Sequence, residues 1–286
     1  MSQDASESAA RRLSQWPLRA ERARSGDFPA THCYLLDADD DLAEAFDLRM
    51  RLAARQVVTA AVFEMQNGEC DLDPWFAATD HGPGLLVLDG VIALDARVGD
   101  RTATELVGSG DLLQQSVRSP EDILESVASC RILQTARFAA LDAAFAERAR
   151  PWPQITHELL RRAGRRAADL DVLRAIASQP RLEVRLVLVL WHFARRWGRV
   201  EHSGIHLCLP LTHRLLGQII GAERPSVSHA MARLSRAGLV VGGADDLHLQ
   251  GSVEHHLWHL MERPSEPFVH AEHERPESLE RTDATA

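Results

Sequence analysis

The chain has 286 residues, 45% of them hydrophobic and 26% charged, the balance of a soluble globular protein with room for two domains of ordinary size. No apolar run reaches the ~20 residues of a membrane span, and the N-terminus has no apolar signal core, so a cytoplasmic protein is expected. The net charge of -9 argues against a uniformly basic nucleic-acid binder, but the charge is unevenly spread. Residues 181–240 carry nine Arg against three acidic residues, whereas residues 1–150 and 241–286 are both strongly acidic. All 32 cationic side chains of the chain are arginine, whose planar fork of donors suits phosphate and guanine.

Residues 1–30, rich in Ser, Ala, Arg and Asp, are expected to form a flexible arm, with one short helix around Ala9–Trp16. A short helix is predicted within residues 31–52, around Leu42, Phe46 and Leu48. From Ala54 to Ala136 the texture becomes that of strands. Val57–Phe63, two segments from Leu85 to Leu94 about Gly90, Thr104–Val107 and Arg131–Thr135 are short apolar runs punctuated by glycine, which predicts an antiparallel sandwich or barrel. A helix is predicted from Arg137 to Arg148. Pro151 and Pro153 then open a long helix whose stripe is Ile155, Leu159, Ala163, Ala167, Leu170, Leu173 and Ala177. Arg161, Arg162, Arg165 and Arg166 are read as a solvated flank of that helix. Arg181–Trp197 is strongly apolar and is expected to support the C-terminal domain.

The C-terminal half contains the sharpest pattern. In LPLTHRLLGQIIGAERPSVSHAMARL, residues 209–234, Thr212 caps a helix with Leu215, Leu216, Ile219 and Ile220 on its apolar face. Gly221 ends it, and Pro225 occupies the first turn of a second helix buried through Val227, Ala230, Met231 and Leu234. A short strand at His206–Leu209 precedes the pair. A strand, a Gly/Asp turn and a second strand follow from Gly238 to Leu249. Helix, turn, helix and hairpin make a winged helix, whose second helix can enter a DNA major groove.

Cys33, Cys70, Cys130 and Cys208 are far apart and none has C-x-x-C spacing, which argues against a zinc ribbon and gives no disulfide framework; four reduced thiols are expected. His255, His256, His259, His270 and His273 lie in an acidic, His-containing tail, residues 253–286, whose last 25 residues read as disordered, and no metal is assigned to them. No Gly-rich phosphate loop, nucleophile elbow or metal-ligand set is present, so no enzyme is expected.

The motifs L-P-L-T at 209–212, the spaced Gly217, R-P-S-V-S-H at 224–229 and L-x-x-x-G-L-V at 234–240 resemble the DNA-binding domain of the cyclic-AMP receptor protein and fumarate–nitrate regulator (Crp/Fnr) family. The resemblance extends more weakly over residues 45–250. It implies an α+β chain with an N-terminal β-roll sensor domain like those that bind cyclic nucleotides, a long dimerisation helix and a C-terminal winged helix-turn-helix. The corresponding boundaries are 1–30 for the arm, 31–150 for the β-roll, 151–178 for the helix, 179–252 for the DNA-binding domain and 253–286 for the tail. The resemblance assigns DNA contacts to Thr212, His213, Arg214, Arg224, Ser226, Ser228, His229 and Arg233. Arg224 matches a base-reading Arg, while Thr212, His213 and Arg214 match positions that touch phosphate. Two departures matter: Pro225 stands where Glu is frequent, and His229 where an Arg reads guanine.

The sensor portion departs further. After Gly110-Asp111 there is no Glu and Arg-Ser-Ala or Arg-Thr-Ala of the cyclic-nucleotide binders. Gln115 falls near the Glu position, and Arg118 lies among Glu121, Asp122 and Glu125, which repel a phosphate. The expectation is a dimeric transcription regulator, partnered by double-stranded DNA and RNA polymerase, that needs no cofactor, does not answer to ordinary cyclic AMP and has an unknown effector. The alternative is a sensor or interaction scaffold with a degenerate DNA-binding domain.

Overall fold

The structure is a computed structural model that describes residues 31–79, 81–115, 126–202, 204–244 and 246–262. The expected arm 1–30, the segment 116–125 with Arg118 and its acidic neighbours, and residues 263–286 with His270 and His273 lie outside the described residues.

The first half opens with β1 (Thr31–Tyr34) and three short helices, α1 (Leu35–Ala38), α2 (Asp40–Glu44) and α3 (Leu48–Arg55), where a single helix was expected. Asp39 caps α2 by accepting from the Leu42 N–H at 2.9 Å, and Asp47 caps α3 through the Met50 N–H at 2.8 Å; each cap satisfies an end donor that the helix itself cannot. Then follow β2 (Thr59–Met65), β3 (Gly68–Cys70), α4 (Asp73–Ala78), β4 (Gly84–Val98), β5 (Arg101–Gly108), β6 (Leu112–Leu113) and β7 (Ser126–Leu141). The strands form one antiparallel sheet in the order β1-β2-β7-β4-β5, with β3 on β7 and β6 on β4.

Side chains alternate across β4. Leu86 and Leu88 join a core with Leu35, Leu36, Leu42 and Phe145, while Leu85, Val87 and Ile92 join another with Phe138. Burial on both faces is why this stretch reads as a continuous apolar run. The second core is filled with aromatic rings: Phe63 stacks on Trp75 at 3.5 Å and on Phe138 at 5.0 Å.

Several expectations are corrected here. The two segments predicted about Gly90 are one bulged strand. Gly90 takes φ 94°, and a Cβ there would meet the Thr135 carbonyl oxygen at 2.5 Å. The helix predicted for 137–148 begins late: Arg137–Leu141 is strand, because Phe138 pairs with Phe63 on one side and Val87 on the other. The helix proper is α5 (Ala143–Ala149), capped by Asp142 accepting from the Phe145 N–H at 2.6 Å. The expected free thiols of Cys70 and Cys130 are joined in a disulfide, since the β3–β7 register sets them directly opposite, 5.2 Å apart at Cα. Cys33 and Cys208 are free.

The long helix α6 (Pro153–Ala177) follows. Ile155 and Leu159 of its predicted stripe are buried against the chain's own first half, and Leu173 packs on the C-terminal core. Of the four arginines read as a solvated flank, Arg161 and Arg165 are exposed, but Arg162 and Arg166 are not. Arg162 has no solvent exposure; it donates to both oxygens of Asp39 at 2.6 and 2.7 Å and to Glu158 at 2.8 Å. Arg166 holds both oxygens of Glu105 at 2.7 and 2.8 Å. The helix turns another face outward, carrying Leu160, Gly164, Ala167 and Ala168, of which Leu160 is 68% exposed.

The C-terminal half consists of α7 (Leu182–Trp197), β8 (Gly198–Glu201), β9 (Gly204–Leu207), α8 (His213–Ile220), α9 (Arg224–Arg236), β10 (Val240–Gly243), β11 (Asp246–Gln250) and α10 (Val253–Glu262). Its sheet runs β10-β11-β9-β8, antiparallel throughout. One core joins α7, α8 and α9 to this sheet and continues into Val91, Ala93 and Leu106 of the first half.

The segment read as tail therefore begins with a helix. α10 packs on α7, burying Leu260 and His256. His256 Nε2–H donates to the Gln250 carbonyl at 2.6 Å, and its Nδ1 accepts from the Trp191 indole N–H at 3.3 Å. Burial first of all holds its pKa below the usual histidine value, against the opposing pull of the Gln250 hydrogen bond. A proton on Nδ1 would face the indole donor. Neutral His256 thus contributes stability above the ordinary histidine pKa of about 6.5, and that stability is lost as the pH falls below it. Trp191 fluorescence should report loosening of α10 between about pH 7 and pH 5, and His256→Gln should remove most of the dependence. An unchanged profile in that variant would assign it elsewhere, His192 being also lowered by burial.

Candidate nucleic-acid interface

The helix pair is fixed by backbone features before any side chain reaches outward. Thr212 caps α8 by accepting from the Leu215 N–H at 3.2 Å. Gly221 closes it in the left-handed conformation, φ 68° and ψ 43°, where other L-residues are strained. Gly217 lies at the crossing itself. A Cβ on it would come within 2.4 Å of the Ala222 carbonyl oxygen, and the Val227 methyl is 3.6 Å away. Only glycine lets the turn fold back over α8. Val227, Ala230, Met231 and Leu234 are buried beneath α9.

With that face buried, the opposite face of α9 is fixed. Arg224, Ser226, His229, Ala232, Arg233 and Arg236 are exposed, with Pro225 in the first turn. The structure therefore brings Arg224, Ser226 and His229 to one surface, and Arg214 is exposed at the start of α8.

The other named residues have internal duties. Ser228 is half-buried. Its hydroxyl donates to the Arg224 carbonyl at 3.0 Å and accepts from His213 Nδ1 at 2.8 Å. This hydrogen bond ties the start of α8 to α9, so His213 and Ser228 position the second helix. Arg233 pairs with Glu183 in the first turn of α7, and Thr212 is occupied as a cap. Two residues absent from the sequence reading also belong here. Arg236 adds a cation to the exposed face, and Glu223, at the N-cap of α9, pairs with Arg101 at the tip of the β4–β5 hairpin.

Besides the Glu223–Arg101 pair at the start of α9, the helix pair is anchored to the first half through α8 and the segment before it. Arg131 holds Asp95 at 2.8 and 3.1 Å and reaches the Gln218 side chain at 3.4 Å, and Gln134 Nε2 donates to the Cys208 carbonyl at 2.9 Å. These contacts leave the outer side of α9 uncovered.

A short helix held across another by a glycine turn, flanked by a wing and presenting arginines outward, defines the class of DNA-binding winged helices. Residues 184–249 match the family described as the Crp-like helix-turn-helix domain. Among solved structures with a similar fold is a cyclic nucleotide-binding domain containing protein from Listeria monocytogenes, at 12% identity and TM-score 0.53, covering 73% of this chain and 95% of that one. A CooA variant from Carboxydothermus hydrogenoformans matches at 15% identity and TM-score 0.52, covering 70% and 87%. The c-di-GMP responsive global regulator CLP of Xanthomonas campestris matches at 15% identity and TM-score 0.51, covering 75% and 100%. A search of curated proteins by sequence finds no match. Residues 184–249 thus match a Crp-like helix-turn-helix domain, and over about 70–75% of its length the chain shares the fold of these structures.

The Gly217→Ala variant tests the helix crossing. The added methyl meets backbone rather than a mobile side chain, so stability should fall by about 1–3 kcal/mol, the cost of overpacking a tight contact, read from denaturant unfolding. Unchanged stability would show that the turn relaxes freely.

Proposed function

We propose that the protein is a dimeric, sequence-specific transcription regulator that binds double-stranded DNA through the exposed face of α9. The observation that carries this reading is the exposure of Arg224, Ser226, His229 and Arg236 together on a helix whose other face is wholly buried. Arg224, in the first turn, can donate two hydrogen bonds to guanine O6 and N7. Arg214 contacts phosphate. Thr212, His213 and Ser228 hold the helices in register, and Arg233 stays on Glu183. His229 has fewer donors and shorter reach than arginine, so it contributes less to base discrimination.

Two copies would associate through the outward face of α6. Leu160, Gly164, Ala167 and Ala168 offer one apolar contact flanked by small residues, which allows close helix approach, and an exposed leucine there gains from being covered. A two-fold dimer presents two α9 helices to successive major grooves. On the DNA it would act in the cytoplasm, with RNA polymerase as a further partner and no catalytic activity of its own. Among the described residues no helix is long and apolar enough to cross a membrane.

Ordinary cyclic AMP does not suit the sensor half. The Gly108-Ser109-Gly110-Asp111 turn is already engaged by the chain's own cations: Arg162 reaches the Gly110 carbonyl at 3.4 Å, and Arg196 pairs with Asp111 at 2.8 Å. Arg162, Arg166 and Arg196 are matched by Asp39 and Glu158, Glu105, and Asp111 respectively, which lowers the positive charge they can offer a phosphate. The rival reading, an interaction scaffold, rests on Pro225 and His229.

Selection from a random duplex pool separates the two. The regulator should enrich a two-fold symmetric site with half-sites about 10–10.5 base pairs apart, with affinity falling steeply with salt. Arg224→Ala should lose about 1–3 kcal/mol on that site and relax one base position. Recovery of no enriched sequence, with binding indifferent to salt, would leave the scaffold.

A further inference from the structure

The outer face of the four-stranded wing sheet carries a cluster that DNA recognition does not use. His206 on β9 and His248 on β11 are register partners, and their rings stack with centroids 4.3 Å apart and planes within 4°. Asp246 lies on the Nε2 side of these rings: its Oδ1 contacts His206 Nε2 and lies 3.4 Å from His248 Nε2. Cys208 Sγ lies beside the His206 ring, 3.3 Å from Nε2 and 3.6 Å from Nδ1, within reach of the same point by rotation of its side chain. A single carboxylate, Glu201 on β8, lies on the other side. Its Oε1 is 3.3 Å from His206 Nδ1 and its Oε2 is 3.7 Å from His248 Nδ1.

This division has a chemical meaning. In the unloaded cluster Asp246 takes the hydrogen bond at His206 Nε2; a metal ion would displace the Nε2 protons, and Glu201 on the opposite side is then placed to accept from Nδ1–H of the rings. The two Nε2 atoms lie on the side that carries the Asp246 carboxylate. One donor atom each from His206, Asp246 and His248 lies within 4.8 Å of the others. Imidazoles bound to one tetrahedral zinc at the usual Zn–N distance have nitrogens about 3.3 Å apart, a spacing that stacked cross-strand rings can supply.

We propose that the wing binds one divalent transition-metal ion of the zinc type, with His206 Nε2, His248 Nε2, an Asp246 oxygen and Cys208 Sγ as ligands and Glu201 orienting both rings. The mixed nitrogen, sulfur and oxygen set favours zinc or cobalt over magnesium or calcium, which take oxygen. Binding displaces the Cys208 thiol proton to solvent and places a double positive charge against Asp246, Glu201 and the thiolate. Arg199, the register partner of His206 on the other side, is the one cation facing the cluster among the described residues of the sheet. The site lies on the hairpin that flanks α9, and the cation would reduce the negative charge of that hairpin. The metal site itself does not depend on DNA binding, and its test uses none.

The test is titration of chelator-stripped, full-length protein with Zn²⁺ by calorimetry and with Co²⁺ by absorption. One equivalent of Co²⁺ should give the intense visible bands of a tetrahedral complex together with a thiolate-to-cobalt charge-transfer band. His206→Gln and His248→Gln should each weaken that equivalent at least about 100-fold, the upper end of what losing even a supporting group costs. Cys208→Ser, at an exposed position that leaves the fold intact, should abolish the charge-transfer band. A His255→Gln/His259→Gln double variant should retain the site. The proposal is overturned if the parent gives no tetrahedral spectrum, which would leave an ion-paired histidine cluster only. It is equally overturned if the band persists in Cys208→Ser, or if the bound equivalent is lost with His255 and His259.

Discussion

The Arg162 guanidinium is the constraint on which the arrangement of the molecule depends. It sits on the long helix with no exposure to solvent, fork to fork with Asp39, bonded to Glu158 one turn earlier and directed at the Gly110 carbonyl. Burial works against its charge, but hydrogen bonds and charge from Asp39 and Glu158 outweigh that and raise its pKa above the ordinary arginine value. Glu158 shows the converse: burial opposes its ionisation, and the two guanidiniums of Arg161 and Arg162 hold its pKa below the usual carboxylate value. An ion cluster of this kind adds little net stability compared with an apolar replacement, yet removing one member costs about 3–5 kcal/mol because the others are left buried and unpaired. Its effect is to permit only one rotation and one height of α6 on the sensor sheet.

Everything C-terminal inherits that placement. Asp39 also caps α2, so the same carboxylate joins the N-terminal helices to the long helix. One turn beyond Arg162, Arg166 fastens Glu105, and from α7 Arg196 fastens Asp111. The β5–β6 turn is thus gripped from two helices. With α6 fixed in rotation, its Leu160–Gly164 face points outward while Ile155 and Leu159 point in. With α7 fixed, α8 settles on β5 through a core that includes Leu106, and α9 remains outermost. A ligand or partner that moved the β5–β6 turn would act directly on the arginines that hold both helices, a rigid-body route from sensor to recognition helix.

Local rules made some of this legible in the chain. Thr212, Gly221 and Pro225 are read correctly because each answers a backbone requirement that acts within a few residues: a cap, a left-handed turn, a first helical turn. Gly217 is marked in the chain only by the motif, and the structure supplies its reason, a close crossing. The wing is legible from its glycines and alternating strands. What escaped depends on distant partners. Arg162 looks like any member of an arginine run until Asp39, 123 residues away, is known to face it. Phe138 looks helical among alanines, and only pairing with Phe63 and Val87 makes it strand. Cys70 and Cys130 meet through a register that no spacing shows. Ser228 and Arg233 sit where base contacts are expected but are claimed by His213 and Glu183. The wing cluster did leave a signal, since His206-x-Cys208 and Asp246-x-His248 each put two donors on one face of a strand. Recognising it required knowing that β9 and β11 are neighbours.

The central claim, that a buried ion pair sets the long helix on the sensor sheet, is tested most directly by a double-mutant cycle of Arg162→Met and Asp39→Asn followed by denaturant unfolding. The account predicts a large loss for either single change and a coupling of at least about 2 kcal/mol between them, with the double variant recovering part of the stability. Additive losses with no coupling would contradict it, because the two groups would then contribute to the fold independently.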